Sequence, residues 1–326
     1  MTRRRSLARL GGAAALALAA CWLGYSRFLM RRDLPLPPPL DAEPRNTNAR
    51  AGRLSAYVAG TGAPLLLVHS VNAAASAYEM RPLFERMQPM RRVYAFDLPG
   101  FGLSARGPRD YTVRLFVDAV HDMLDLVAAE HGPAPVDAAG LSLGAEFLAR
   151  AAVEAPDRFR SLALVNPTGF TAKRRGDSGP GATREVPGVR AVAEFPPWSQ
   201  ALFDLLASRP SIRFFLKKTW GAKAIDEGFA HYAYLAAHQP GARHAPFAFL
   251  SGRLFSADIR AVYERLALPV WMPHGTRGDF ADFRGADAVR GRPNWTIEPF
   301  DTGALPHFEQ PDEFARRFHA FLTGSG

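Results

Sequence analysis

Residues 139–144 read Ala-Gly-Leu-Ser-Leu-Gly, a Gly-x-Ser-x-Gly pattern centred on Ser142. The short apolar stretch 136–139 before it predicts a strand, and residues 143–154 after it have the spacing of a helix. A tight strand-to-helix turn lifts a serine hydroxyl above a sheet, and glycines on both sides allow close approach of neighbouring backbone. Such a turn also points backbone N–H groups at negative charge that develops beside the serine. The pattern therefore predicts Ser142 as a nucleophile.

Alternating strands and helices extend from this turn in both directions. Residues 64–69 are apolar throughout, which is typical of a strand buried on both faces. The predicted strands are 54–58, 64–69, 93–96, 136–139, 161–165, 269–272 and 295–299, and the predicted helices are 76–87, 112–129, 143–154, 282–289 and 312–322. This alternation predicts a mostly parallel sheet with helices on both faces.

The alternation divides the chain into four parts. It stops between residue 168 and about residue 260, where short helical segments rich in Phe, Trp and Tyr predict a helical cap inserted between two strands. The predicted parts are an N-terminal segment 1–33, a Pro-rich linker 34–52, a core formed by 53–167 and 263–323, and the cap 168–262. The linker is expected to be an extended polyproline-II spacer.

The N-terminal segment resembles a membrane-targeting sequence. Residues 10–25 are almost wholly apolar and have arginines on both sides, so we expect a signal-anchor helix with the main domain on the periplasmic, extracytoplasmic side. A cleaved signal peptide and secretion is one alternative. A lipoprotein signal is another, because residues 18–21 (Leu-Ala-Ala-Cys) end in Cys21, the only cysteine.

Charge and composition exclude several classes of function. The formal net charge is +9, but seven arginines and one aspartate lie in residues 1–33, so most of the excess belongs to that segment. No basic helix with interleaved aromatic residues indicates nucleic-acid binding. No clustered Cys/His set and no Gly-rich phosphate loop is present, so we expect neither a metal nor an organic cofactor. A single cysteine permits no intrachain disulfide.

The chain resembles the α/β-hydrolase superfamily in its capped, single-domain form, over about residues 53–323. Besides the turn at Ser142, the resemblance rests on six further segments: Leu66-Leu67-Val68-His69, Asp97-Leu98-Pro99-Gly100-Phe101-Gly102-Leu103-Ser104, Leu164-Val165-Asn166-Pro167, Leu268-Pro269-Val270, His274-Gly275 and Phe308-Glu309-Gln310-Pro311. The resemblance implies an α/β-hydrolase fold with a nucleophile, an acid and a histidine in that chain order.

The resemblance also implies roles for individual residues. Asp279 is the expected acid, with Asp282 as the alternative. Ala304 stands where the family usually has its histidine, so His307, three residues later, is the expected general base. The oxyanion hole is expected to use the backbone N–H groups of Leu143 and Val71.

The implied activity is hydrolysis of a carboxylic ester, esterase-like or lipase-like, through an acyl-enzyme. The aromatic cap predicts an apolar pocket, so the expected partners are a small apolar ester and, through the N-terminal segment, a membrane. A carbon–carbon bond hydrolase or an acyltransferase would use the same serine. The alternative is a degenerate member that binds a ligand or protein without turnover, which Ala304 and Ser70, in place of a family glycine, favour.

Overall fold

The computed structural model describes residues 17–171 and 179–324. Its centre is an eight-stranded sheet in the order β1-β2-β4-β3-β5-β6-β7-β8. The strands are β1 Glu43–Ala49, β2 Gly52–Ala59, β3 Pro64–Val68, β4 Arg92–Phe96, β5 Val136–Leu141, β6 Phe159–Val165, β7 Val270–Gly275 and β8 Trp295–Phe300. The pairs β1–β2 and β2–β4 are antiparallel and all the others are parallel. The carboxyl ends of the parallel strands therefore share one edge, where β5 leads into Ser142.

Helices cover both faces of this sheet and form the cap. Helix α1 covers residues 17–28 of the described chain. The others are α2 Arg81–Met87, α3 Val113–His131, α4 Leu143–Glu154, α5 Val189–Ala193, α6 Ser199–Leu206, α7 Arg209–Trp220, α8 Glu227–Ala237, α9 His244–Leu250, α10 Ile259–Glu264, α11 Pro306–Glu309 and α12 Pro311–Gly324. Helices α5 to α9 belong to the predicted cap, and α10 returns the chain to the sheet.

The apolar runs in the sequence are explained by two hydrophobic clusters, one on each face of the sheet. Successive strand side chains point to opposite faces. In β3, Leu66 and Val68 join the cluster under α3 and α4, and Leu65 and Leu67 join the cluster under α2 and α12. Because both faces are buried, β3 has no polar alternation.

The predicted linker is not a spacer. Residues 43–49 form the edge strand β1, whose register runs from Glu43 opposite Val58 to Ala49 opposite Gly52. The residues before β1 lie on the cap, because Tyr232 donates to the Pro37 carbonyl (2.8 Å) and Gln239 donates to the Leu34 carbonyl (2.6 Å). Strand β1 forms because the edge of β2 has free backbone hydrogen-bonding groups. The polar, Pro-containing sequence of residues 43–49 does not by itself indicate a strand.

Helix α1 lies against the cap helix α6. Trp22 Nε1 donates to the Ala201 carbonyl (2.9 Å), and Ser26 Oγ donates to Asp204 (2.6 Å), which also pairs with Arg32. Within the described ranges, no helix has both the length and the hydropathy that crossing a bilayer requires. The span predicted at residues 10–25 begins outside the described residues, so the predicted membrane anchor is not supported.

Candidate active site

The turn between β5 and α4 holds Ser142 in a backbone conformation that L-residues rarely adopt. Its φ is 52° and its ψ is −117°, and such a conformation costs of order 1–3 kcal/mol unless the surroundings enforce it. The Ser142 N–H donates to the Val165 carbonyl (2.9 Å), and the Ala145 N–H donates to the Ser142 carbonyl (3.1 Å). Strand β6 and the first turn of α4 therefore hold the serine in place.

The two glycines of the motif are needed for close packing. A Cβ on Gly144 would lie 2.1 Å from the His69 carbonyl oxygen, and a Cβ on Gly140 would lie 2.9 Å from Ala145 Cα. Both distances are below contact distance with backbone atoms that have little freedom to move. Glycine at these positions lets the end of β3 and the start of α4 approach the serine turn.

Ser142 opens on a cavity of about 280 Å³ between the sheet edge and the cap. This volume lies just below the usual range for ligand pockets, roughly 300–1,000 Å³. Its apolar walls are formed mainly by Leu216, Phe229, Phe249, Phe255 and Phe280. The lining also includes polar side chains, among them Ser142, Glu79 and Asn166. The cavity therefore suits a small ligand with an apolar part and a polar reacting group.

Two backbone N–H groups are available beside Ser142. Leu143 is the first residue of α4, so its N–H has no acceptor within the helix. Val71 also lines the cavity, and no described backbone group accepts its N–H. The Asn72 side chain is already engaged, because its Nδ2 donates to Glu79 (2.7 Å) and its Oδ1 accepts the Ala74 N–H (2.8 Å). The N–H groups of Val71 and Leu143, which the sequence predicted for an oxyanion hole, thus have no backbone acceptor among the described residues.

The structure does not bring His307 to Ser142. His307 lies in α11, is 1% exposed, and is outside the lining of the cavity. Its Nε2 donates to the Glu79 backbone carbonyl (2.7 Å), and its buried Nδ1 has no hydrogen-bond partner among the described residues. Burial lowers the pKa of His307 to about 4, so the ring is neutral at neutral pH. The predicted hydrogen bond from His307 to Ser142 is therefore absent.

The two candidate acids are also away from the cavity. The Asp279 side chain is half exposed and forms a salt bridge with Lys218 of α7. Asp282 accepts hydrogen bonds from the Arg284 guanidinium (2.9 Å). Neither carboxylate is paired with His307, because its Nε2 donates to the Glu79 carbonyl and its Nδ1 has no partner among the described residues.

Ala304 occupies the place in the cavity wall where the family pattern led us to expect a histidine. Its N–H donates to the Thr219 carbonyl (2.8 Å), and a Cβ on the preceding Gly303 would lie 2.3 Å from that same oxygen. The end of α7 therefore fixes this loop with the Ala304 side chain at the cavity. Among the described residues, no histidine lines the cavity.

Sequence reasoning missed four polar residues that line the cavity: Glu79, Asn166, Thr168 and Thr219. Of these, Glu79 and Asn166 have the most side-chain hydrogen-bond partners. Glu79 is 2% exposed and accepts hydrogen bonds from the Ser70 N–H (2.8 Å) and from Asn72. Asn166 adopts a positive φ of 45° at the end of β6, and its Oδ1 accepts the Gly275 N–H (3.2 Å). No local pattern marks Glu79, because its place depends on how the turn after β3 folds back. Asn166 can take this positive φ because asparagine tolerates the left-handed region better than most residues.

A second buried carboxylate lies on the helix that follows Ser142. Glu146 of α4 accepts hydrogen bonds from the Thr168 hydroxyl and from the Ser256 N–H (3.0 Å). Burial raises the pKa of Glu146 to about 7. Thr168 and Ser256 stand near the two ends of the cap segment, so Glu146 ties both ends to the helix that carries Ser142.

The chain is similar to known hydrolases. Residues 65–317 match the model of the alpha/beta hydrolase family. A pimeloyl-[acyl-carrier protein] methyl ester esterase of Aliivibrio salmonicida is 25% identical over 81% of this chain and 93% of its own length. The enzyme of the same name from Chromobacterium violaceum is 31% identical over 67% of this chain and 75% of its own length.

A solved structure resembles nearly the whole chain. It is that of a membrane phospholipase A, which superposes with a TM-score of 0.63 at 20% identity and covers 99% of both chains. At this identity the likeness shows the fold. The predicted α/β-hydrolase fold is confirmed, and the chain belongs to the alpha/beta hydrolase family as an enzyme of that family.

Proposed function

We propose that the protein is a serine hydrolase that cleaves small carboxylic esters, with Ser142 as its nucleophile. The observation that carries the proposal is the strained turn at Ser142, which opens on an apolar cavity beside the Val71 and Leu143 N–H groups. Strain at a functional turn persists where the surrounding structure enforces it. The esterase names of the Aliivibrio and Chromobacterium relatives support an ester as the substrate class.

The proposed chemistry follows from these positions. Ser142 Oγ attacks the ester carbonyl carbon, and the carbonyl oxygen, now negative, is stabilised by the Val71 and Leu143 N–H groups. Collapse expels the alcohol and leaves an acyl group on Ser142. Water then attacks the acyl carbon and releases the carboxylic acid.

The test is turnover of p-nitrophenyl esters that differ only in acyl length, using the full chain because residues 34–49 and α1 pack on the cap and sheet. We expect short acyl chains to be hydrolysed best, since the cavity holds only about 280 Å³. Ser142→Ala is expected to reduce the rate to that of the uncatalysed reaction. Equal rates for wild type and Ser142→Ala at every length would reject the proposal.

We further propose that the protein works at a lipid surface, which α1 contacts from the side. The polar Ser26 faces the cap and is buried, whereas Leu18, Phe28 and Leu29 are 72%, 78% and 70% exposed. This is the reverse of an ordinary surface helix, whose apolar face points inward. The exposed Arg27 and Arg31 beside these residues favour an anionic lipid surface.

A further inference from the structure

Among the described residues that line the cavity, Glu79 is the only one with a carboxylate, imidazole or amine. The other polar side chains there are hydroxyls and amides. A serine nucleophile needs a group that takes its proton, within hydrogen-bond reach or through one water. The cavity therefore offers a single side chain of suitable chemistry.

The Glu79 carboxylate is held in a fixed orientation. The Ser70 N–H donates to Oε2 (2.8 Å) and Asn72 Nδ2 donates to Oε1 (2.7 Å). An ionised carboxylate has about four acceptor positions, so about two remain for a water or hydroxyl in the cavity. The backbone of Glu79 is fixed as well, because His307 donates to its carbonyl.

His69 and His307 lie near the cavity, but both rings are hydrogen-bonded to groups other than Ser142. His69 is fully buried, with Nδ1 beside the Ser70 carbonyl (2.6 Å) and Nε2 accepting the Leu98 N–H (2.9 Å). His307 is held by Glu79 itself. None of the hydrogen bonds between described residues engages the Ser142 hydroxyl, so that hydroxyl is free to meet a water in the cavity.

We propose that Glu79 is the general base of this enzyme and acts on Ser142 through one water molecule. The inference rests on the proposed serine hydrolase function. As Ser142 Oγ bonds to the carbonyl carbon, its proton passes to the water, and a proton of that water passes to Glu79. The carbonyl π electrons move to the oxygen, which becomes the oxyanion.

The remaining steps return every proton. When the ester C–O bond breaks, protonated Glu79 donates through the water to the departing alkoxide. Glu79 then takes a proton from the water that attacks the acyl carbon and returns it to Ser142 Oγ on release of the acid. Because Glu79 becomes neutral as the oxyanion forms, the cavity holds one negative charge throughout and two anions never face each other.

The experiment compares kcat and KM of the full chain and its variants on p-nitrophenyl acetate. Glu79→Gln is expected to lower kcat by about 100-fold to 10,000-fold, the usual contribution of a general base, with little change in KM. Glu85→Gln, on the exposed face of α2, is the matched control for loss of a nearby carboxylate. His307→Gln keeps a donor for the Glu79 carbonyl. It is therefore expected to lose far less kcat than Glu79→Gln, which separates a role of His307 in holding that carbonyl from a role in proton transfer.

Chemical rescue separates chemistry from folding. Added formate is expected to restore part of kcat in Glu79→Ala, since it can supply a carboxylate in the vacated space, and to leave Glu85→Gln unchanged.

A Glu79→Gln enzyme as fast as Glu85→Gln would overturn the inference while Ser142-dependent turnover still stands. A loss of kcat in His307→Gln equal to that expected for Glu79→Gln would overturn it in favour of His307. Failure of the wild-type enzyme to turn over would reject the proposed function together with the inference.

Discussion

At the scale of single residues, the backbone conformation of Ser142 is expected to lower the free energy of unfolding. Its φ of 52° favours glycine, so Ser142→Gly is expected to unfold with a free energy about 1 kcal/mol higher than Ser142→Ala. Both variants lack the hydroxyl, so the comparison isolates the strain. Urea denaturation of the two proteins measures it, and equal midpoints would show that the turn is unstrained.

His307 provides a pH-dependent stability signal. Its pKa is about 4 when folded, below the ordinary value of 6.5, so the unfolded chain binds more protons between these pH values. Stability is then fully present above pH 6.5 and falls as the pH drops toward 4, by about 3 kcal/mol. We expect wild type to lose this much more than His307→Gln between pH 7 and 4 in urea titrations. Parallel losses in the two proteins would contradict the assigned environment of His307.

The residues of the site differ in how far the sequence reveals them. The turn at Ser142 was predictable because its signal is local: two glycines, a strand before it and a helix after it. His307 was not, because its position depends on how α7 fixes the Ala304 loop from far along the chain. Glu79 depends on the fold of the turn after β3, and no spacing in the sequence encodes that contact.

At the scale of elements, Glu146 links α4 to both ends of the cap. Its pKa of about 7 lies above the ordinary 4.5, so the folded chain binds more protons between these values. The stability is present below pH 4.5 and is lost as the pH rises to 7, by about 3 kcal/mol. We expect wild type to lose that much relative to Glu146→Gln between pH 4.5 and 7.5. Thermal unfolding of both proteins checks this, and a constant difference in stability would disprove it.

Strands buried on both faces were predictable from the sequence, whereas the polar edge strand β1 was not. Strand β3 is a continuous apolar run, which leaves little choice of structure. Strand β1 contains Pro44 and polar residues and forms because β2 supplies hydrogen-bond partners along its edge. The helix predicted at 282–289 is only a short 3-10 turn, Arg284–Ala288. Its Gly285 N–H donates to the Phe170 carbonyl (2.7 Å), outside the turn, while Phe283, Ala286 and Val289 pack in the core.

At the scale of the whole molecule, the proposed contact of α1 with a lipid surface would bring the cap and its cavity close to that surface. We expect the full chain to cosediment with vesicles of anionic phospholipid more than with neutral ones, and less at high salt. The double variant Phe28→Ser/Leu29→Ser is expected to lose most of this binding because it removes the two exposed apolar side chains at the end of α1.

The matched control for this experiment is Met90→Ser. Met90 is 46% exposed and precedes β4, on the edge of the sheet opposite Ser142. It is expected to bind vesicles like wild type. Equal binding by wild type and the α1 double variant would contradict the proposed contact.

The central claim is that Ser142 is an activated nucleophile, and its most direct test is labelling of the full chain with a fluorophosphonate, read by intact-protein mass spectrometry. We predict one adduct on wild type, located at Ser142 by peptide mapping, and none on Ser142→Ala. A folded wild-type protein that gains no adduct would contradict the account and favour a family member that binds ligands without turning them over.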